Sequence, residues 1–366
     1  MVRSIILTVL GFLVTTCLAG GTLNKSKAQI PPVIPLMVIG SGPAGHSAAQ
    51  YGAHLGIPTK LISGPLPGGL LTQTSFIENY PGVRLTPGTD LMELMKTQTA
   101  DRGVEIIEDS VISIDLSSWP FTVALQDGTM YNVLALVIAT GATPKLLEVP
   151  GEKTFWGRGI SSCALCDGFF YKGKDVVVVG GGDSAIEEAI QLSAHAKTVT
   201  ILVRSDRMRA APLMQSKLSG YSNIKPIEYA KRVARILGSK DEVTGLEVQD
   251  LLTNQKSIVS TDGLFLAIGH TPCTELVSNQ LELTESGHIK VDERTQATSV
   301  EGVYAAGDVE DAVYRQAIVA AGRGCKAAIK AVQWLREMGF SKNYLDEFIN
   351  SKQKKDLKSQ AQFKKF

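Results

Sequence analysis

Leu36-Met37-Val38-Ile39-Gly40-Ser41-Gly42-Pro43-Ala44-Gly45 sets the fold class of this chain. An apolar run leads into GxGxxG, and a stretch bearing Ala48, Ala49 and Ala53 follows at helical spacing. This is a strand, a turn and a helix in succession. Its glycines let the turn close and let a pyrophosphate approach the backbone at the helix N-terminus. The pattern recurs at Val176-Val177-Val178-Val179-Gly180-Gly181-Gly182-Asp183-Ser184-Ala185, again strand, GxGxxA, helix. One such motif fits a tight turn in any α/β protein. Two in one chain, each after an apolar strand, imply two dinucleotide sites and an α/β fold with two Rossmann-like nucleotide-binding domains.

Between the two motifs stands Cys163-Ala164-Leu165-Cys166, followed at once by Asp167-Gly168. Two thiols at this spacing can close a small disulfide and reopen it, and one of them becomes a nucleophile once it loses its proton. Half a zinc site looks the same, but a second CxxC is missing and no His lies nearby at ligand spacing, so no metal is expected. Asp167 is placed to shuttle the proton that thiol exchange requires. Its competing role is a helix N-cap, which Asp also favours.

Two further words complete the first nucleotide site. Leu136-Val137-Ile138-Ala139-Thr140-Gly141-Ala142 reads as a strand ending in a Gly turn. Gly302-Val303-Tyr304-Ala305-Ala306-Gly307-Asp308-Val309 reads as a late strand whose terminal Asp308 suits a ribityl hydroxyl, which favours FAD as the first dinucleotide.

Taken together with Ile77-Glu78-Asn79-Tyr80-Pro81-Gly82, SCALCDGFFY, GGGDSAIEEA, Ala267-Ile268-Gly269-His270 and Tyr314-Arg315-Gln316-Ala317, these words resemble the low-molecular-weight thioredoxin reductases of bacteria, fungi and plants. These are class II pyridine nucleotide-disulfide oxidoreductases, and the resemblance runs from about Ile34 to about Leu335. It implies an enzyme with FAD and NADPH as cofactors, thioredoxin as disulfide substrate, and a homodimer. It also implies an NADPH domain inserted into a discontinuous FAD domain, with two hinge strands that let one rotate on the other. The expected layout is an apolar leader at 1–33, FAD-binding parts at 34–145 and 272–336, an NADPH and CxxC domain at 146–271, and a Lys-rich tail at 337–366. The candidate linkers, Thr143-Pro144-Lys145 and Gly269-His270-Thr271-Pro272, are Gly/Pro breaks after apolar strands.

Carried over residue by residue, the resemblance assigns FAD to Gly40, Ser41, Gly42, Pro43, Ala44, Gly45, Gly68, Gly69, Leu70, Asn79, Val111, Thr140, Gly141, Gly307, Asp308, Arg315, Gln316 and Ala317. It assigns NADPH to Gly180, Gly182, Asp183, Ser184, Ala185, Arg204 and Arg209. Cys166 becomes the thiol nearest the flavin and Cys163 the one that attacks the outside disulfide. Three positions depart from the family pattern. The phosphate-reading segment is Val203-Arg204-Ser205-Asp206-Arg207-Met208-Arg209, with Ser205 in place of the middle arginine. NADPH remains the expected donor, with a weakened preference. Leu70 stands where a Gln is usual, with Gln73 a candidate replacement, and Cys273 stands where an Asn is usual.

The 366 residues leave room for two domains with their own cores, and a net charge of +1 implies no general attraction to nucleic acid. Five cysteines, only two of them closely spaced, are too few for a disulfide-stapled secreted scaffold. Cys273 is expected to be a semi-buried thiol, and Cys325 to pack at a helix start. His46, His54, His195 and His288 are expected to be surface or packing residues, and His270 belongs to the hinge word. Ser4 to Ala19 is an uncharged, largely apolar run that fits a signal peptide or a membrane tether and is short for a span of about 20 residues. The chemistry needs NADPH, so the expected location is the cytoplasm; membrane association through residues 4–19, export or an organelle would also accommodate the run. A hydroperoxide reductase flavoprotein would need extra thioredoxin-like domains ahead of Gly40. A dithiol oxidase of the same fold using oxygen also fits the CxxC and the weakened phosphate site. A tethered, non-enzymatic flavin-binding module fits the leader and the first glycine turn, but leaves Cys163, Cys166 and Asp167 without a use.

Overall fold

The computed structural model describes residues 31–340 apart from Ser75 and Asp241. The apolar leader at 4–19 and the Lys-rich tail from 341 onward lie outside the described residues.

Val33–Ile39 is apolar throughout because both its faces are covered. Leu36 and Val38 point into one core with the Ala-rich helix Pro43–His54 and the helix Ala317–Glu337, while Met37 and Ile39 point into another with Phe121, Val123 and Ile289. A strand buried on both sides reads as a continuous apolar run. Each such side chain contributes roughly 1.5–3 kcal/mol on burial. Val33–Ile39 pairs in parallel with Thr59–Ile62 on one side and Met130–Ile138 on the other. The seven-stranded sheet runs Glu105–Ile107, Thr59–Ile62, Val33–Ile39, Met130–Ile138, Phe121–Leu125, Val111–Asp115, and Val303–Ala305 adds in parallel along Met130–Ile138. Residues near 303 thus complete a sheet begun near 33.

A second, four-stranded parallel sheet runs Thr198–Leu202, Asp175–Val179, Gly263–Leu266, Ile160–Ser161. Its central strand alternates in the same way, with Val176 and Val178 facing the helix Asp183–Ser193 and Val177 and Val179 facing Leu246 and Val248 of a three-stranded antiparallel sheet. The fold is therefore α/β with two nucleotide-binding folds, the second inserted into the first.

The two sheets are joined by a short two-stranded ladder. Ala142–Pro144 and His270–Pro272 pair antiparallel, with Ala142 opposite Pro272 and Pro144 opposite His270. The Gly/Pro words expected to be linkers are strands. Proline is tolerated in them because a two-stranded ladder has free outer edges, where a missing N–H costs no pairing. Among the described residues no helix is long and apolar enough to cross a membrane.

Candidate active site

The first glycine turn is shaped by what its neighbours exclude and what they leave open. Gly40 sits at φ +106°, and a Cβ there would lie 2.2 Å from the Ala139 carbonyl oxygen. A Cβ on Gly45 would lie 1.7 Å from the Gly40 carbonyl oxygen, whereas one on Gly42 would meet nothing within 4 Å. The first and last glycines are required by the protein itself, and the middle one is left open for something else. Ser41 is buried, donates to the Ser63 carbonyl at 3.0 Å and accepts the Gly68 N–H at 2.9 Å, locking the turn to the 63–68 loop. The helix Pro43–His54 has no side-chain cap and no acidic residue in its first turn. Its N-terminal N–H groups suit an anionic ligand.

This turn opens onto a cavity of about 1320 Å³. That exceeds the roughly 300–1,000 Å³ of ordinary ligand pockets, so a dinucleotide fits. Gly40 to Ala44, Gly69, Leu70, Val111, Thr140, Gly141, Gly307, Asp308, Arg315, Gln316 and Ala317 all line it. Gly45, Gly68 and Asn79 do not line it; Asn79 Nδ2 donates to Gln316 Oε1 at 3.3 Å. Burial raises Asp308 to about 6, with Asp311 adding to the rise and Arg315 and Arg323 opposing it. A carboxyl so placed suits a hydroxyl-rich partner. Gln73 also lines the cavity, its Oε1 accepting the Trp156 indole N–H at 3.2 Å.

Cys163 and Cys166 line the same cavity and are joined as a disulfide, with Cα atoms 5.3 Å apart. Cys163 is the N-cap of the short helix Ala164–Asp167 and Cys166 lies within it, Sγ of Cys163 accepting the Cys166 N–H at 3.1 Å. Asp167 makes no capping bond. Burial raises its pKa, and a hydrogen bond from the Ser161 hydroxyl opposes the rise. Ser161 Oγ also accepts the Cys163 N–H at 3.0 Å. Ser161 thus ties the acid to the thiol pair, a role that nothing in its sequence context marks. Gln316, from the first fold, places its Nε2 3.8 Å from Sγ of Cys163 and 3.9 Å from Sγ of Cys166.

The second glycine turn repeats the design of the first. A Cβ on Gly180 would lie 2.4 Å from the Ala267 carbonyl oxygen, and one on Gly182 would meet nothing within 4 Å. Asp183 Oδ1 accepts the Ala211 N–H at 2.8 Å, and the Arg209 N–H bonds the Gly181 carbonyl at 2.6 Å, so the arginine loop is pinned to the turn. Arg204 and Arg209 are exposed. Ser205 turns its hydroxyl into the loop, donating to the Arg207 carbonyl at 2.6 Å. Of the residues assigned to NADPH, only Ser184 lines the large cavity; Asp183, Arg204 and Arg209 are exposed outside it, and Gly180 and Ala185 are buried.

Several groups go beyond what the sequence marked. Glu188, one turn along from Ser184, has a buried Oε2 without a partner, and burial raises its pKa to about 8. Its signal was the Glu187-Glu188 pair in GGGDSAIEEA. His270 lines the cavity with a buried, unpartnered Nδ1, and burial lowers its pKa to about 4. His46 and His288 are buried packing residues, bonded to Thr99 and Ser286 at 2.9 Å each. Cys325 is not at a helix start. It lies within Ala317–Glu337, hydrogen-bonded to Tyr51, because neighbouring Gly324 serves close packing: a Cβ there would lie 2.0 Å from the Ala44 carbonyl oxygen. Among the described residues no group of three or more His, Cys, Asp or Glu side chains is placed to hold a metal ion.

Comparison with known proteins agrees with this arrangement. The family model described as pyridine nucleotide-disulphide oxidoreductase matches residues 34–324. A thioredoxin reductase of Rickettsia typhi is 44% identical over 305 residues, covering 82% of this chain and 98% of that relative. One from Streptomyces clavuligerus is 43% identical over 308 residues, covering 84% and 95%. Among solved structures, thioredoxin reductase from Giardia duodenalis is similar with a TM-score of 0.79 at 39% identity, covering 83% of this chain and 99% of that one. A disulfide set against a dinucleotide cradle, on two nested nucleotide-binding folds that these relatives share from end to end, leaves one assignment: the chain belongs to the pyridine nucleotide-disulphide oxidoreductase family.

Proposed function

We propose that this chain is an NADPH-dependent thioredoxin-disulfide reductase, passing electrons through FAD and the Cys163–Cys166 disulfide to thioredoxin. The observation that carries this is the disulfide lining the cavity into which the GSGPAG turn opens. FAD, when bound, takes a hydride from NADPH and supplies an electron pair to a disulfide. Gly42 leaves room for its phosphates beside the uncapped helix, and Asp308 suits its ribityl chain. Gly182, Arg204 and Arg209 hold NADPH on the other surface. Cys166 is the thiol on the flavin side, Cys163 attacks the disulfide of thioredoxin, and Asp167 gives and takes the exchange proton, its raised pKa suiting that task.

Cys163 faces inward in this arrangement, so attack on a protein substrate requires the inserted fold to turn about the 142–144 and 270–272 ladder. On this proposal the FAD domain comprises 34–145 and 272–336, and the NADPH domain 146–271. The enzyme works as a homodimer in an NADPH-containing compartment, most simply the cytoplasm.

The test is anaerobic bleaching of the flavin by NADPH, NADH or a dithiol, followed by thioredoxin turnover. Wild type should bleach with NADPH and reduce thioredoxin. Cys163→Ser should bleach and fail to turn over. Near-normal turnover in that variant, or electrons delivered to oxygen instead of thioredoxin, would overturn the proposal.

A further inference from the structure

Gln316 occupies the N-cap of the helix Ala317–Glu337 and makes no capping bond there. Ser, Thr, Asp and Asn are preferred at that position, and a residue that breaks a local preference points to another use. Its amide instead faces the disulfide. Nε2 lies 3.8 Å from Sγ of Cys163 and 3.9 Å from Sγ of Cys166, and Oε1 lies 4.0 Å from Sγ of Cys166. The amide is held in one orientation from both ends: Asn79 Nδ2 donates to Oε1 at 3.3 Å, and the Tyr314 carbonyl accepts from Nε2 at 3.3 Å. Among the described residues no other side chain hydrogen-bonds either sulfur.

Reduction of the pair consumes two electrons and one proton. The S–S bond breaks, one sulfur is left as a thiolate and the other becomes a thiol. NADPH supplies the balance, since its oxidation to NADP⁺ releases two electrons and one proton. A thiolate only accepts hydrogen bonds, whereas a thiol can also donate one. Sγ of Cys163 faces two N–H donors, the Cys166 backbone at 3.1 Å and Gln316 Nε2. Sγ of Cys166 faces a donor and a carbonyl oxygen of the same amide, which a thiol satisfies and a thiolate does not. We infer that Gln316 is a catalytic residue of the reductive step, its amide holding the new thiolate on Cys163 and the new thiol on Cys166. Cys163 then emerges ionised, as the sulfur that must attack the outside disulfide. This rests on the disulfide being the redox centre proposed above.

The holoenzyme is equilibrated in dithiothreitol redox buffers, and the Cys163–Cys166 couple is read by alkylation and mass spectrometry. Alkylation rate against pH gives the ionisation midpoint of Cys163 in the reduced protein. Gln316→Met keeps the length and removes the donor. It should shift the equilibrium about tenfold toward the disulfide, about 30 mV for a two-electron couple. It should also raise the Cys163 midpoint by about one unit. Asn79→Leu frees the amide to turn and should move both readouts the same way by less. Both readouts unchanged in a flavin-replete Gln316→Met protein would overturn the inference. If that variant loses flavin, Asn79→Leu decides by the same criterion. A wild-type disulfide that dithiothreitol cannot reduce reversibly would instead sink the redox-centre assignment itself.

Discussion

The Asp311 carboxylate accepts the backbone N–H of Arg315 at 3.0 Å, and Arg315 sits in the left-handed region at φ +48°. Asp311 also takes the N–H groups of Val313 and Tyr314 at 2.9 Å each and faces the Arg323 guanidinium at 3.3 Å. One buried carboxylate therefore holds the loop that delivers Gln316 to the cavity. Asp311→Ala leaves three N–H groups and part of a guanidinium unpaired, and should cost about 3 kcal/mol. The expected result is a lower Tm together with flavin lost on gel filtration. A variant with wild-type Tm and full flavin content would refute this.

The two glycine turns make a paired prediction. Gly45→Ala and Gly180→Ala drive a methyl into backbone and should destabilise the apoprotein. Gly42→Ala and Gly182→Ala meet open space, so apoprotein stability should stay within about 0.5 kcal/mol of wild type. Gly42→Ala should nevertheless weaken FAD binding at least tenfold, and Gly182→Ala should weaken NADPH binding while leaving FAD bound. Calorimetric titration and chemical denaturation separate the two kinds of effect.

Glu188 gives a pH signature. Burial raises its carboxyl to about 8, with Glu187 adding to the rise and Arg315 opposing it. The folded protein therefore holds this proton more tightly than the unfolded chain. The stability that results is fully present below the unfolded value near 4.5 and is lost as pH rises through about 8. Glu188→Gln should remove that slope. Relative to wild type, the variant should gain about 3 kcal/mol between pH 5 and pH 8, at roughly 1.4 kcal/mol per unit. Urea denaturation at the two pH values measures it, and parallel losses in both proteins would show that Glu188 is ionised when folded.

Ser205 should be a lever on donor choice. Its exposed hydroxyl is spent on the Arg207 carbonyl, leaving one fewer cation for a 2′-phosphate. Ser205→Arg should lower the NADPH KM about tenfold, the worth of one charge-assisted bond. Its kcat should barely change, because the phosphate is remote from the hydride. Steady-state kinetics with both nucleotides checks it. A wild type that prefers NADH outright would show that Arg204 and Arg209 do not read a phosphate.

The strands and turns around Gly40 and Gly180 were legible because burial on both faces writes itself as an apolar run and because backbone crowding leaves room for glycine alone at Gly40, Gly45 and Gly180. The disulfide was legible from its spacing and its place between the two glycine turns. Gln316 was legible only as part of a flavin word. That it meets Cys163 depends on residues 79, 163 and 316 converging, which no local pattern records. The burial of Glu188 was hidden for the same reason, since a charged pair on a helix reads as a solvated face until another element covers it. Gly324 misled in the opposite direction: glycine reads as a break, but here it lets two helices touch.

The ladder between Ala142–Pro144 and His270–Pro272 has an evolutionary corollary. The chain leaves the seven-stranded sheet at one of these strands and returns along the other, so the two ends of everything from 145 to 269 are side-by-side neighbours. A segment whose ends already touch can be acquired, exchanged or deleted in a single genetic event, because the gap left behind is one a short turn can close. The smaller fold is thus a cassette, and a hairpin spliced between Pro144 and His270 should leave the flavin-bearing remainder able to fold on its own.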